Sequence, residues 1–222
     1  LVDAAEEANW NVRVQLTGSN GIYTLTYLLP TQWLADNDRA WPVILDPVVE
    51  ANIAATNIED RTVAENDTSS YKWSILDTGY SETRGKIRGF LKYVQLPQIT
   101  SSDVIVGAFF QMYKVSTSSV ECPVEIHKVT GTWDSQEVTW STQPSFDASV
   151  EDYAHVKNEG WYGWTITDIV RDWYATVNNG LMIKLKDSIE SGGTNMYRQF
   201  YSSDAGSAYR PTLAIIFRNN NG

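Results

Sequence analysis

A chain of 222 residues with a formal net charge of -10 and a pI near 4.6 lacks the basic stripe that phosphate neutralisation demands, which argues against nucleic acid and against an acidic lipid surface. One cysteine, Cys122, rules out an intramolecular disulfide, so packing must carry the stability. The longest apolar runs, such as residues 104–110, fall far short of the roughly 20 residues of a membrane helix, which argues against membrane insertion. No basic, apolar, small-residue signal opens the chain, and it reads as a piece of a longer polypeptide. Tryptophan (9) and tyrosine (12) are abundant beside 3 methionines, and such side chains either fill a core or form stacking platforms.

In chain order, residues 10–16 alternate with Trp10, Val12, Val14 and Leu16 on one face, and residues 22–28 form a second β-like run. Asn20-Gly21 between them is a strong hairpin signal. Residues 30–36 read as a turn or short helix, and residues 41–47 as a short strand stopped by proline, with a boundary near Val48. Strand-like runs follow at 72–76, 86–94, 104–115, 124–129, 181–186 and 212–217. Many short strands without intervening helices of comparable length predict a sandwich or jelly roll. One helix is expected over residues 165–174, where Ile166, Ile169, Val170 and Trp173 share a face and Thr165 or Thr167 is the candidate N-cap. The terminal residues 219–222 are expected to fray.

Several phrases then line up in order. Arg88, Phe90 on a strand, Leu96-Pro97 and Ile99 come first; Trp133-Asp134, Val138-Thr139-Trp140 and Gln143-Pro144 follow. Ile166-Thr167-Asp168-Ile169-Val170 with Trp173, then Asn179-Gly180-Leu181, Phe200-Tyr201-Ser202-Ser203-Asp204 and Arg210-Pro211-Thr212-Leu213 complete the set. Over about residues 50–217 this order resembles the DNRLRE domain family. The resemblance implies a jelly-roll β-sandwich related to carbohydrate-binding modules, in extracellular or cell-wall associated bacterial and archaeal proteins, including large ones of the Rhs or YD-repeat type. The first 48 residues resemble the tail of a preceding β-domain, with Trp33-Leu34 and Trp41-Pro42-Val43-Ile44-Leu45-Asp46-Pro47 as the matching phrase. The family's early N-Y-G phrase is not evident, and Thr68-Ser69-Ser70-Tyr71-Lys72-Trp73 stands in its place. The expected organisation is therefore all-β: a small β-hairpin segment over 1–48 and a DNRLRE-like jelly roll with one short helix over 49–218.

No catalytic constellation emerges from the sequence. His127 and His155 have no metal-ligand spacing, and Cys122 before Pro123 reads as a small buried thiol. The pairs Asp134 with Glu137 and Glu151 with Asp152 are separations that chance supplies in an acidic chain, and turn hydrogen bonding is the expected work of the first. A hard cation such as Ca2+ would find oxygen donors in Asp60, Glu65, Asn66 and Asp67, although EF-hand spacing is absent, and the resemblance allows a structural calcium. Sugar binding needs an exposed aromatic face flanked by polar groups. Two clusters fit: Tyr71, Trp73 and Tyr80 near Arg84 and Arg88, and Trp161-Tyr162 between Gly160 and Gly163, read as a loop. Arg84 and Arg88 would suit an anionic sugar, with Arg88 alternatively a buried partner of a carboxylate. Trp133, Trp140, Trp164 and Trp173 are assigned to the core and the helix. The favoured function is non-catalytic binding of a polysaccharide or cell-wall glycan. The alternative is a structural spacer whose partners are the neighbouring domains of the parent chain.

Overall fold

The computed structural model describes residues 1–218 except 2, 4, 6, 8, 10, 20–21, 42, 44–47, 52–53, 68–73, 101–102 and 116–119, with backbone alone for 13–26, 48–50 and 218. Strands β1 (Arg13–Ser19) and β2 (Ile22–Leu28) pair antiparallel from Arg13↔Leu28 to Ser19↔Ile22, which leaves two residues for the connection. This is the expected hairpin, begun at Arg13; Asn20 and Gly21 themselves lie outside the described residues, as does most of the 41–47 phrase. A single helical turn, α1 (Thr31–Leu34), follows. Arg39 ties this region together: its Nη1 donates to Asp3 Oδ2 at 2.7 Å and to Glu7 Oε2 at 2.8 Å, and its guanidinium lies 3.8 Å from the Trp33 ring centroid. Burial pushes the Asp3 carboxyl up, but donors from Glu7, Arg39, Ala40 and Ala5 outweigh it and hold the group below the ordinary aspartate value.

Beyond it run β3 (Val48–Glu50), β4 (Ile58–Ala64), β5 (Ile75–Ser81), β6 (Gly85–Tyr93), β7 (Val104–Lys114), β8 (Cys122–Lys128), β9 (Asp152–Val156) and β10 (Gly160–Thr165). Helix α2 (Thr167–Ala175), β11 (Leu181–Leu185), the single turn α3 (Asp187–Glu190), β12 (Met196–Tyr201) and β13 (Thr212–Arg218) complete the fold. Every pair is antiparallel along the path β3-β13-β7-β12-β5-β6-β11-β8-β9, with β10 also on β7 and β4 also on β6. The path bends where β7 meets β12 through the one pair Phe200↔Lys114, so β13, β7 and β10 face β6, β11 and β8 across a common core. Phe110, Met112, Trp164, Leu213 and Ile215 fill that core from one side, and Leu91, Tyr93, Val124, Ile126, Leu181 and Ile183 from the other. The architecture is the expected all-β jelly-roll sandwich; α1 falls where residues 30–36 read as a turn or short helix, and α3 is added to the expected helix.

Helix α2 forms where the period places it, burying Ile169, Val170 and Trp173. Its N-terminus differs from expectation. Thr167 turns its Oγ1 to the Ala108 N–H at 3.1 Å, and Ile166 occupies the cap position without a side-chain acceptor. Glu151 instead accepts the N–H groups of Asp168 and Ile169 on Oε1 at 3.1 and 3.3 Å. Caps read from local sequence cannot anticipate a carboxylate arriving from the residue before β9. At the other end Gly180 has φ +81, and a Cβ there would stand 2.3 Å from the Leu91 carbonyl oxygen. Only glycine fits this close approach, which explains the Asn-Gly-Leu phrase.

A second, smaller core sits on the outer side of the β4-β6-β11-β8 layer. Val63, Phe90, Val129, Val138 and Met182 form it, roofed by Trp133, Trp140 and Phe146 from the segment 130–149. Trp133 Nε1 donates to the Asn179 carbonyl at 2.8 Å and its ring lies 5.8 Å from Phe90. Asp134 does the turn bonding expected of it, its Oδ1 accepting the Gln136 N–H at 2.7 Å.

Candidate ligand-binding face

Strand β7 alternates cleanly over its second half: Ala108, Phe110 and Met112 are buried, whereas Phe109, Gln111 and Tyr113 point away from the core. The register then decides what stands beside Tyr113. Trp161 of β10 is directly opposite it, and Thr212 of β13 is opposite Gln111 on the other flank. Tyr209, in the turn leading into β13, and Tyr201, at the end of β12, complete a cluster around the same ring. Ring centroids of Trp161, Tyr209 and Tyr201 lie 5.5, 4.9 and 5.9 Å from that of Tyr113, and Tyr201 lies 5.1 Å from Tyr209. The first two stand nearly edge-on to Tyr113, at 89° and 69°. These are favourable aromatic geometries that fix the rings without covering them. Trp161 is 42% exposed and Tyr209 43%.

Polar groups border the rings. Tyr113 donates its hydroxyl to Glu159 Oε1 at 3.1 Å, and burial followed by that carboxylate pushes its phenol above the ordinary tyrosine value. Along β12 from Tyr201, Gln199 Nε2 donates to Asp77 Oδ1 at 2.9 Å, and Arg84 Nη1 donates to Asp77 Oδ2 at 2.7 Å. Exposed Tyr197 follows on the same side of that strand. The arrangement presents apolar ring surface beside hydroxyl, carboxylate and amide groups. That combination suits the C–H face and the hydroxyl rim of a sugar.

The residues expected to bind divide accordingly. Trp161 is on this face, but on a strand rather than in a loop. Because strand neighbours point to opposite sides, Tyr162 goes the other way. It pairs with Met112, packs against the main core, and its hydroxyl accepts the Lys157 N–H and donates to the Asn158 carbonyl. Arg84 borders the face through Asp77. Tyr80 lies between Met196 and Lys86 in the pairing and does not join the ring cluster. Arg88 is in the opposite layer: its Nη2 meets Glu190 Oε2 at 3.0 Å, its Nη1 meets Gln143 Oε1 at 3.1 Å, and its guanidinium lies 4.9 Å from the Trp140 ring centroid. Its role is the buried partner of a carboxylate, since only 14% of its side chain is exposed. Tyr71 and Trp73 lie outside the described residues.

The four oxygen donors considered for Ca2+ stand at two places. Asp60 is buried and accepts the Ser203 N–H on Oδ2 at 2.8 Å. Glu65 and Asn66 are exposed where β4 leaves the sheet beside Gly85, and Asp67 follows in the same turn. Glu65 lies five residue steps along the chain from Asp60, about 16 Å of extended strand. The four do not close around one ion, and Glu65 Oε2 already accepts the Lys86 N–H.

Sequence reasoning missed Tyr113, Tyr201 and Tyr209. Each is one outward residue on an ordinary strand or turn, and only the pairing of β7 with β10, β12 and β13 brings them together.

Comparison with known proteins places the chain, though not this face, in a family. The family model described as carbohydrate-binding module family 96 matches residues 52–217, three quarters of the chain. Among curated proteins the chain is 23% identical over 205 residues to a protein named tRNA nuclease WapA from Bacillus subtilis strain 168. It is likewise 23% identical over 206 residues to the tRNA3(Ser)-specific nuclease WapA of Bacillus spizizenii. These alignments cover 88% of this chain and only 8% of each relative.

Proposed function

We propose that this chain, which belongs to carbohydrate-binding module family 96 over residues 52–217, is a non-catalytic module that holds a polysaccharide or cell-wall glycan on the Trp161–Tyr113–Tyr201–Tyr209 face. The observation that carries the proposal is the exposure of Trp161 and Tyr209 within a ring cluster whose other members fix them in place. Exposed ring surface clustered in one place is the kind of feature that marks an interaction site. The nuclease activity in the relatives' names belongs to proteins of which this chain matches a small part, and it is not carried over. The parent protein in this reading is extracellular or wall-associated, with residues 1–48 as the end of a preceding β-domain and residues 49–218 as the glycan-binding jelly roll. A contact with neighbouring domains of that parent is a second role, favoured by the exposure of Tyr27, Leu28, Leu29 and Trp41 in the first segment.

The test is retention of the purified chain on insoluble peptidoglycan, on teichoic-acid-bearing walls and on a panel of neutral and anionic polysaccharides, with and without a chelator. Selective retention that Trp161→Ala abolishes is the expected result. Uniform passage through every matrix would leave the spacer role.

A further inference from the structure

We propose that Lys114 and Arg198 form an anion site inside one end of the sandwich, and that it takes a small free oxyanion, inorganic phosphate or sulfate, rather than a polymer. The sheet register sets the two cations together. Lys114 continues the inward row of Phe110 and Met112 on β7, and Arg198 lies two residues before the inward Phe200 of β12. Phe200 is directly opposite Lys114, so Arg198 is its diagonal neighbour, about 7–8 Å away across the ladder. Both side chains are wholly buried. Like charges at this spacing inside a core oppose folding unless an opposite charge joins them.

Arg39, Arg88 and Lys184 each meet a carboxylate; among the described residues no carboxylate pairs with Lys114 or Arg198. Lys114 Nζ donates to the Val115 carbonyl at 3.0 Å, and Arg198 donates from Nη1 to the Tyr197 carbonyl at 2.8 Å and from Nη2 to the Val120 carbonyl. Carbonyls accept these bonds but leave both charges in place. Glu159 acts on Lys114 less than its other neighbours do, and its Oε1 accepts the Tyr113 hydroxyl. Cys122 is buried beside the pair, but burial pushes its thiol up and keeps it neutral. Burial, followed by Arg198, pushes the Lys114 ammonium below the ordinary lysine value, so an anion beside it would hold its proton in place. The unused donors define the ligand. The ammonium keeps two N–H groups, and Arg198 Nε is buried without a hydrogen-bond partner. Three donors on two cations suit an ion with several oxygens around one centre and two negative charges. A free ion enters by local opening of this end, whereas a phosphate strung on a polymer would hold it apart.

The experiment is urea unfolding of the whole chain at neutral pH in inorganic phosphate, over roughly three decades of concentration up to about 10 mM. Ionic strength is held constant with sodium chloride, and the series is repeated with sulfate and with poly(glycerol phosphate). One bound ion lowers the unfolding constant by roughly tenfold for each tenfold rise in ligand above its dissociation constant, a slope that general salt effects on burial do not produce. That slope is expected with phosphate and sulfate, not with poly(glycerol phosphate), and in neither Lys114→Met nor Arg198→Met. Without oxyanion, Lys114→Met should be at least as stable as the parent, because it removes one of two like charges. Equilibrium dialysis of radiolabelled phosphate against the folded parent, expected to retain about one ion per chain, gives a reading that no variant's folding affects. A parent that neither responds to phosphate or sulfate nor retains phosphate overturns the inference and leaves Lys114 as an uncharged core amine. A slope that persists in Lys114→Met, or one given equally by poly(glycerol phosphate), overturns it as well.

Discussion

On the outer side of β6, β11 and β8, Trp133, Trp140 and Phe146 lie over Phe90 and Met182, with the Arg88 guanidinium against two of the rings and the Lys92 ammonium 5.3 Å from the third. On the outer side of β10, β7 and β12, Trp161, Tyr113, Tyr201 and Tyr209 touch one another, and two of the four stand about two-fifths exposed. The two faces have similar ingredients: aromatic rings, an arginine and carboxylates. They differ in what the chain does next. After β8 it spends residues 130–149 on a roof, whereas after β10 it enters α2 directly and leaves the face open. On the covered face these side chains serve folding; on the open face they are held by one another and stay in solvent.

The largest expected effect breaks the covered face at its ion network. Glu190 is 1% exposed, paired with Arg88 at 3.0 Å, and Lys184, 3% exposed, stands 3.6 Å from Glu125 and 3.9 Å from Glu190. Arg88→Met leaves Glu190 buried with one cation fewer and should cost about 3–5 kcal/mol in denaturant unfolding. A loss below about 1 kcal/mol would mean that the network is solvated. Next comes the roof. Trp133→Ala removes a ring against Phe90 and the hydrogen bond to the Asn179 carbonyl, and because the ring is only partly buried it should cost about 2–3 kcal/mol, below the usual range for a fully buried tryptophan.

The same face has a pH signature. Burial raises the Glu190 carboxyl above the ordinary glutamate value of 4.5, and the opposing pull of Arg88 and Lys184 does not cancel it. A carboxyl whose pKa is higher folded than unfolded favours the folded state while it is protonated. Its contribution is fully present below about 4.5 and lost as pH rises through the raised value. Chemical denaturation at steps from pH 4 to 7 should therefore show a decline in stability over that window, absent from Glu190→Gln. An unchanged slope in the glutamine form would assign the decline to other groups. Glu151, also raised by burial, is the first alternative.

The two faces were unequally legible in the sequence. The main core, α2 and the longer strands announce themselves because one side of each meets the core, so period and position agree with burial. Strand β4 escaped because it is buried on both sides with Asp60, Arg61 and Thr62 in its middle, where alternation predicts nothing. Its polar residues are held by distant partners, Arg61 Nε donating to the Ser135 carbonyl and Thr62 Oγ1 accepting the Asp77 N–H. Strand β10 was read as a loop because its two glycines, Gly160 and Gly163, look like turn residues. Gly163 is a packing device, since a Cβ there would meet the Phe109 ring at 2.2 Å. That misreading paired Trp161 with Tyr162 when the pleat puts them on opposite sides. Arg88 stood in an ordinary alternating strand, and nothing local reveals that α3 delivers Glu190 to it.

The smallest expected effect on stability and the largest on binding coincide at Trp161. Its ring contacts Tyr113 edge-on and is 42% exposed, so truncation to alanine opens no enclosed cavity and should shift unfolding by about 1 kcal/mol, the scale of one edge-on ring contact. Under the proposed function the polysaccharide should nevertheless be released. Trp164→Ala, three residues along the same strand and fully buried with Nε1 on the Val124 carbonyl at 3.0 Å, is the matched control at about 3–5 kcal/mol. A pleated strand sends these two tryptophans to opposite sides, one to the core and one to solvent. If both variants lose stability alike, Trp161 is a core residue and the open face is no platform. If Trp161→Ala unfolds like the parent and retains the polysaccharide, the binding surface lies elsewhere on the sandwich.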